Sequence, residues 1–228
     1  MKTKLLLSAV FLFFAIAISA QNIFFPTQPG TILLHQQTDE NGNVTGYSRY
    51  TITAVTGSGN NMTISYLLER MDENRQVTLE FPGQIHIRNN RMILDIEEMI
   101  APHLQRSGLG LEAEFEGTFM EIPVNFSPGQ RFADTEGTIR IGRGVLGMRV
   151  RMSVTDAKCL AIEDVTVPAG TFNTHKVTQT INTTILIRTT NVRLVSWYAR
   201  GVGAVKTRTY DERGRLQSSS RLVEITRP

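Results

Sequence analysis

From Thr31 onward, apolar and polar residues alternate with a period of two along most of this 228-residue chain. That period fits strands with one buried and one wet face, and it does not fit amphipathic helices. Met62, Ile64, Tyr66 and Leu68 alternate with Thr63, Ser65, Leu67 and Glu69, and Met148, Val150, Met152 and Val154 with Arg149, Arg151, Ser153 and Thr155. Turn-forming clusters at Asn41-Gly42, Gly57-Ser58-Gly59-Asn60-Asn61, Asp72-Glu73-Asn74, Asn89-Asn90 and Asp211-Glu212-Arg213-Gly214 separate the runs at hairpin spacing. An all-β, antiparallel fold follows. One stretch departs from the pattern. Asp95 and Glu98 form a capping box ahead of Ile96, Met99, Ile100 and Leu104, and Pro102 limits it, so one short helix is expected at an edge or mouth of the sheet.

The N-terminus reads as a cleavable export signal. Lys2 and Lys4 precede an apolar run from Leu5 to Ile18, and Ala20 supplies the small residue for cleavage. The expected organisation is a signal over residues 1–20 and a single β-rich domain over 21–228, periplasmic or extracellular. The apolar run is too short to span a bilayer and no later segment is free of charge for long enough, so no transmembrane helix is expected in the mature chain. Gln21 and Asn22 stand where a lipoprotein would carry a cysteine. The single cysteine, Cys159, lies in an apolar neighbourhood that suits a buried thiol and closes no internal disulfide.

Two of the 24 Lys and Arg fall in the signal, leaving the mature chain nearly neutral against 21 Asp and Glu. Nothing there supports a nucleic-acid partner. The charges are unevenly placed, with residues 21–121 acidic on balance and 122–228 basic, as acidic and basic strands pairing in one sheet would require. Glu112, Glu114 and Glu116 share one strand face, and Arg149 and Arg151 share another, which Arg140 extends. These ladders are expected to be neighbours on the outer surface.

The motifs that imitate chemistry fail on context. Gly142-Arg143-Gly144-Val145-Leu146-Gly147 matches a dinucleotide fingerprint, but the strand beginning at Met148 stands where the pyrophosphate-binding helix should start. Asp39, Asn41 and Asn43 imitate a calcium loop, yet Val44 and Tyr50 occupy its glycine and bidentate glutamate positions. His35, His86, His103 and His175 have no zinc spacing, and His175 shares the parity of Val177 and Ile181, towards a core. No nucleophile elbow is present. No catalytic residue, metal ligand or cofactor is assigned.

Two C-terminal segments are more specific: Val165-Thr166-Val167-Pro168-Ala169-Gly170-Thr171-Phe172-Asn173-Thr174, and Trp197-Tyr198-Ala199-Arg200-Gly201-Val202-Gly203-Ala204-Val205-Lys206. Together they resemble bacterial exported proteins of the domain of unknown function 3108 type, common among Bacteroidetes. The resemblance implies an antiparallel, strongly curved or barrel-like sheet in the cell envelope, similar to periplasmic lipoprotein carriers, and brings no catalytic residues. Gly201 and Gly203 read as side-chain-free positions on one strand face. Trp197 and Tyr198 leave their strand on opposite faces, and the one facing the concavity is the main ligand-contact candidate, with Tyr66 on the core face of its own strand as the third.

The expected function is a non-enzymatic envelope protein that binds a hydrophobic small molecule or a partner protein through its sheet. A structural component pairing through an edge strand, and a hydrolase built from scattered residues, are the alternatives.

Overall fold

The computed structural model describes residues 23–97, 113–118, 120–142 and 148–228. The strands are β1 (Ile32–Asp39), β2 (Val44–Ser58), β3 (Asn61–Met71), β4 (Val77–Arg88), β5 (Arg91–Asp95), β6 (Ala113–Gly117), β7 (Glu121–Pro123), β8 (Thr135–Ile141), β9 (Met148–Val167), β10 (Gly170–Ile185), β11 (Arg188–Ala199), β12 (Gly203–Tyr210) and β13 (Leu216–Thr226). They make one sheet, ordered β6-β8-β9-β10-β11-β12-β13-β1-β2-β3-β4-β5-β7. Every neighbouring pair is antiparallel. β1 is flanked by β2 on one side and by the last strand, β13, on the other.

The barrel-like, strongly curved sheet expected above does not form. The strand order has two ends, β6 and β7, and neither pairs on its outer side with another described strand, so the sheet is open. These edges carry the features that stop further pairing: β7 is three residues long and ends in Pro123, and β6 presents Glu114 and Glu116. The expected short helix is corrected as well. Ile96 and Glu97 have helical backbone, no helix stands as an element among the described residues, and positions 98–104 lie outside them. So do the signal at 1–20, His103, Glu112 and the glycine-rich stretch 143–147.

Local chemistry explains the turns. Asp39, Asp72 and Asp211 each accept two backbone N–H bonds on Oδ1 at 2.8–2.9 Å, from the residues two and four positions on. Each of these loops places its fourth residue, Gly42, Arg75 or Gly214, at positive φ. Pro168 and Ala169 form a two-residue turn between Val167 and Gly170. Gly201, expected within a strand, sits instead in the turn between β11 and β12, and Gly203 opens β12; both have positive φ.

The main core joins distant strands. Phe24, 1% exposed, packs beside Phe126 (centroids 4.5 Å apart), His175 (4.9 Å) and Tyr198 (6.3 Å), in a cluster that includes Ile64, Ile87, Cys159 and Val177. Cys159 is fully buried and burial raises its thiol pKa, as an inert structural cysteine requires. On the surface, Arg140 pairs with Glu116 at 2.8 Å and lies 3.9 Å from Glu114, and Arg151 pairs with Glu136 at 3.2 Å. The glutamates of β6 therefore lie beside Arg140 of β8, and Glu136 of β8 beside Arg151 of β9.

Candidate functional site

Strand alternation turns Leu33 and His35 of β1, Ser48 and Tyr50 of β2, and Tyr66 and Arg70 of β3 towards a common cavity. Tyr198 of β11 faces them, Met92 and Leu94 of β5 and Ile122 of β7 add aliphatic wall, and Phe24 and Phe25 enter from the segment before β1. The cavity measures about 600 Å³, within the range of small-molecule sites. Its aromatic rings are mutually braced: Tyr66 lies 5.8 Å from both Tyr50 and Phe25, tilted to each. Tyr66 has room because its direct cross-strand partner is Gly83, where a Cβ would come within 2.4 Å of the ring's Cζ.

One part of the wall is polar. His35 Nε2 lies 2.9 Å from the Ala204 carbonyl and so carries the proton, which leaves Nδ1 as an acceptor that is buried without a partner. Burial lowers the His35 pKa and keeps the ring neutral. Nearby, Ser48 Oγ accepts hydrogen bonds from Arg70 Nη1 at 2.7 Å and Gln37 Nε2 at 2.9 Å. Burial raises the phenol pKa values of Tyr50, Tyr66 and Tyr198, so all three are uncharged. The arrangement suits a molecule with an apolar body and one polar end: a donor can meet His35 Nδ1, and an acceptor can meet Arg70.

The sequence-derived candidates separate here. Tyr66 and Tyr198 line the cavity, whereas Trp197 does not. The Trp197 indole N–H donates to Glu163 Oε1 at 2.6 Å, and the ring lies under Lys206 (5.1 Å to the centroid) and Lys176 (5.2 Å). Phe24, Phe25, His35 and Arg70 were missed as site residues. Arg70 was detectable, because it shares the parity of Tyr66 and Leu68 and so puts a cation on an apolar face. The Phe pair, isolated between Asn22 and Pro26, gave no periodic signal.

A hydroxyl–imidazole–carboxylate row lies elsewhere: Thr63 Oγ1 is 3.0 Å from His86 Nδ1, and His86 Nε2 is 3.3 Å from Asp95 Oδ2. None of the three lines the cavity. No group of three or more His, Cys, Asp or Glu able to hold a metal ion occurs among the described residues. Among the same residues, no helix is long and apolar enough to cross a membrane.

Two solved structures share this architecture. One, from Bacteroides fragilis, is described as an exported protein with a YmcC-like fold; it is 21% identical, with a TM-score of 0.69, covering 90% of this chain and 100% of that one. The other, from Parabacteroides distasonis, is described as a lipoprotein; it is 22% identical, with a TM-score of 0.70, covering 90% of this chain and 99% of that one. At these identities the likeness shows a common fold. No curated protein matches the chain. Residues 28–222, which contain the sheet up to the last four residues of β13 and both C-terminal segments singled out above, match the family profile described as DUF3108-like, and the chain belongs to that family.

Proposed function

We propose that this is an exported, non-enzymatic envelope protein that binds a lipid-like molecule in the cavity between Tyr66 and Tyr198. The observation that carries the reading is the cavity of about 600 Å³, walled by aromatic and aliphatic side chains, with the unpartnered His35 Nδ1 on its wall. An apolar ligand releases water from those walls, and a single polar end orients it. The export-type N-terminus and the descriptions of the two structural neighbours, one exported and one a lipoprotein, support the location. Catalysis is not part of the reading, because the Thr63–His86–Asp95 row stands outside the cavity. Recruitment of a partner by strand addition is disfavoured by the short, charged and proline-terminated edges.

The test is a titration with cis-parinaric acid, a fluorescent long-chain carboxylate. The expected result is saturable uptake of one molecule per chain, weakened at least about tenfold in Thr207→Phe, which places a ring at the cavity wall. Absence of uptake, or uptake unchanged by the filled cavity, would overturn the proposal.

A further inference from the structure

A second concavity, of about 280 Å³, lies where the turn containing Pro168 meets β1, β12 and β13. Lys206, Arg208 and Arg221 line it together with Thr38, Thr166 and Ser219; the Ser219 hydroxyl donates to the Thr207 carbonyl at 3.2 Å, and Thr166 Oγ1 lies 2.9 Å from Thr171 Oγ1. The strand register brings the cations together. Lys176 stands opposite Trp197, Trp197 opposite Lys206, and Lys206 opposite Arg221, a continuous rung across β10 to β13. Arg208 is one pair along on the same face, opposite Ser219 and 6.0 Å from the indole centroid.

Like charges directly opposite one another destabilise a sheet, and here little offsets them. Glu163 is the nearby carboxylate, and its Oε1 is already shared between the Trp197 indole and Lys176, 3.3 Å away. No carboxylate among the described residues pairs with Lys206, Arg208 or Arg221. The Arg221 guanidinium donates to the neutral Gln36 Oε1, from Nε at 3.0 Å and Nη2 at 2.7 Å. Burial and the neighbouring cations lower the Lys206 pKa. Where β12 and β13 cease to pair beyond Lys206 and Arg221, the Pro168 turn closes over the gap, with Ala169 N–H donating to the Leu222 carbonyl at 3.4 Å. Both C-terminal segments thus build this pocket, one as its roof and the other as the floor bearing Lys206.

We infer that this pocket is a binding site for a phosphate-type oxyanion, held by Lys206, Arg208 and Arg221. A tetrahedral oxyanion supplies the acceptors these donors lack, neutralises the rung, and fits the space between the proline turn and the strands. The phosphoryl group belongs either to a small soluble molecule or to a lipid headgroup. The site lies on the other face of β11 from the Tyr198 cavity and does not depend on what that cavity holds.

The protein carries its own reporter, since Trp197 is its only tryptophan and lies under two of the cations. The experiment is a fluorescence titration at constant ionic strength, with inorganic phosphate in one arm and phosphatidylglycerol vesicles in the other. The proposal expects a saturable change in Trp197 emission, with affinity lowered about tenfold by Arg208→Gln and by Arg221→Gln and unchanged by Arg213→Gln in the neighbouring turn. Arg221 is exposed and does not touch the indole, so its variant remains informative should Arg208→Gln fold poorly. Saturation by phosphate identifies a soluble ligand, and a response to vesicles alone identifies a headgroup. No response in either arm, or equal affinity in all three variants, would overturn the inference.

Discussion

Trp197 and Tyr198 are chain neighbours with opposite surroundings, the indole under cations and the phenol against Phe24 across an apolar cavity. The same sensitivity to surroundings makes stability depend on pH. Arg49 donates to both carboxylate oxygens of Glu69 at 2.5 Å, while the Glu69 side chain is only 8% exposed, and this holds the carboxyl below its ordinary 4.5. A depressed carboxylate stabilises the fold above its unfolded pKa, and the benefit is lost as pH falls through the folded value. His35, depressed from 6.5 by burial, is likewise stabilising when neutral, and its share is lost below about 6.5. Urea denaturation from about pH 8 to about pH 3 should therefore show stability falling below 6.5 and again below 4.5. Glu69→Gln should cost about 2 kcal/mol at neutral pH and make the lower of the two declines shallower, the remainder coming from the other depressed carboxylates, Asp39, Glu116, Glu163 and Asp211.

At this scale the sequence revealed which side chains share a face but not what lies opposite. Alternation placed Tyr66 on a core face and set Trp197 and Tyr198 on opposite faces without telling which was inward, and the convergence of Tyr66 with Tyr198 required β3 and β11, which do not pair, to face one another. Cation crowding around Trp197 was equally invisible, because it arises from cross-strand register over four strands.

Hairpins are the unit in which this sequence is most readable, because their turn residues act locally. Asn41-Gly42, Asp72-Glu73-Asn74, Asn89-Asn90 and Pro168 all mark turns between paired strands. The exception is the hairpin of β10 and β11, whose tip is Leu186 and Ile187. Leu186 has φ of 56°, costly for a branched apolar side chain, and the two residues are 73% and 99% exposed. Replacing Leu186 with Gly removes the steric cost of that conformation and should raise stability by about 0.5–1 kcal/mol in chemical denaturation, without changing the paired register. At the stretch expected to be helical, strand β5 pairs with β4 up to Asp95 and helical backbone begins at Ile96, while positions 98–104 lie outside the described residues.

For the molecule as a whole, the antiparallel, all-β character could be anticipated, but closure could not. Whether a sheet joins its own edges depends on the length and register of the last strands, and here three-residue β7 and five-residue β6 leave it open. Without a closing ladder, side chains that touch several strands at once must hold the structure together. Phe24 is foremost among them, and Phe24→Ala should cost about 3–5 kcal/mol. Its removal should also loosen Phe126, His175 and Tyr198 together, which amide hydrogen exchange would register as coupled loss of protection in β10 and β11.

The pairing of β1 with β13 has a consequence in time. The first strand to be synthesised finds one of its two neighbours only when residues 216–226 have been made, nearly 190 positions later. Until then the edge of β1 away from β2 offers a bare row of amides and carbonyls. The ribosome must therefore release nearly the whole chain before this sheet can complete itself, so assembly follows synthesis and is slowed by the long loop it must close. A chain that matures so late is well suited to crossing a membrane unfolded and assembling on the far side.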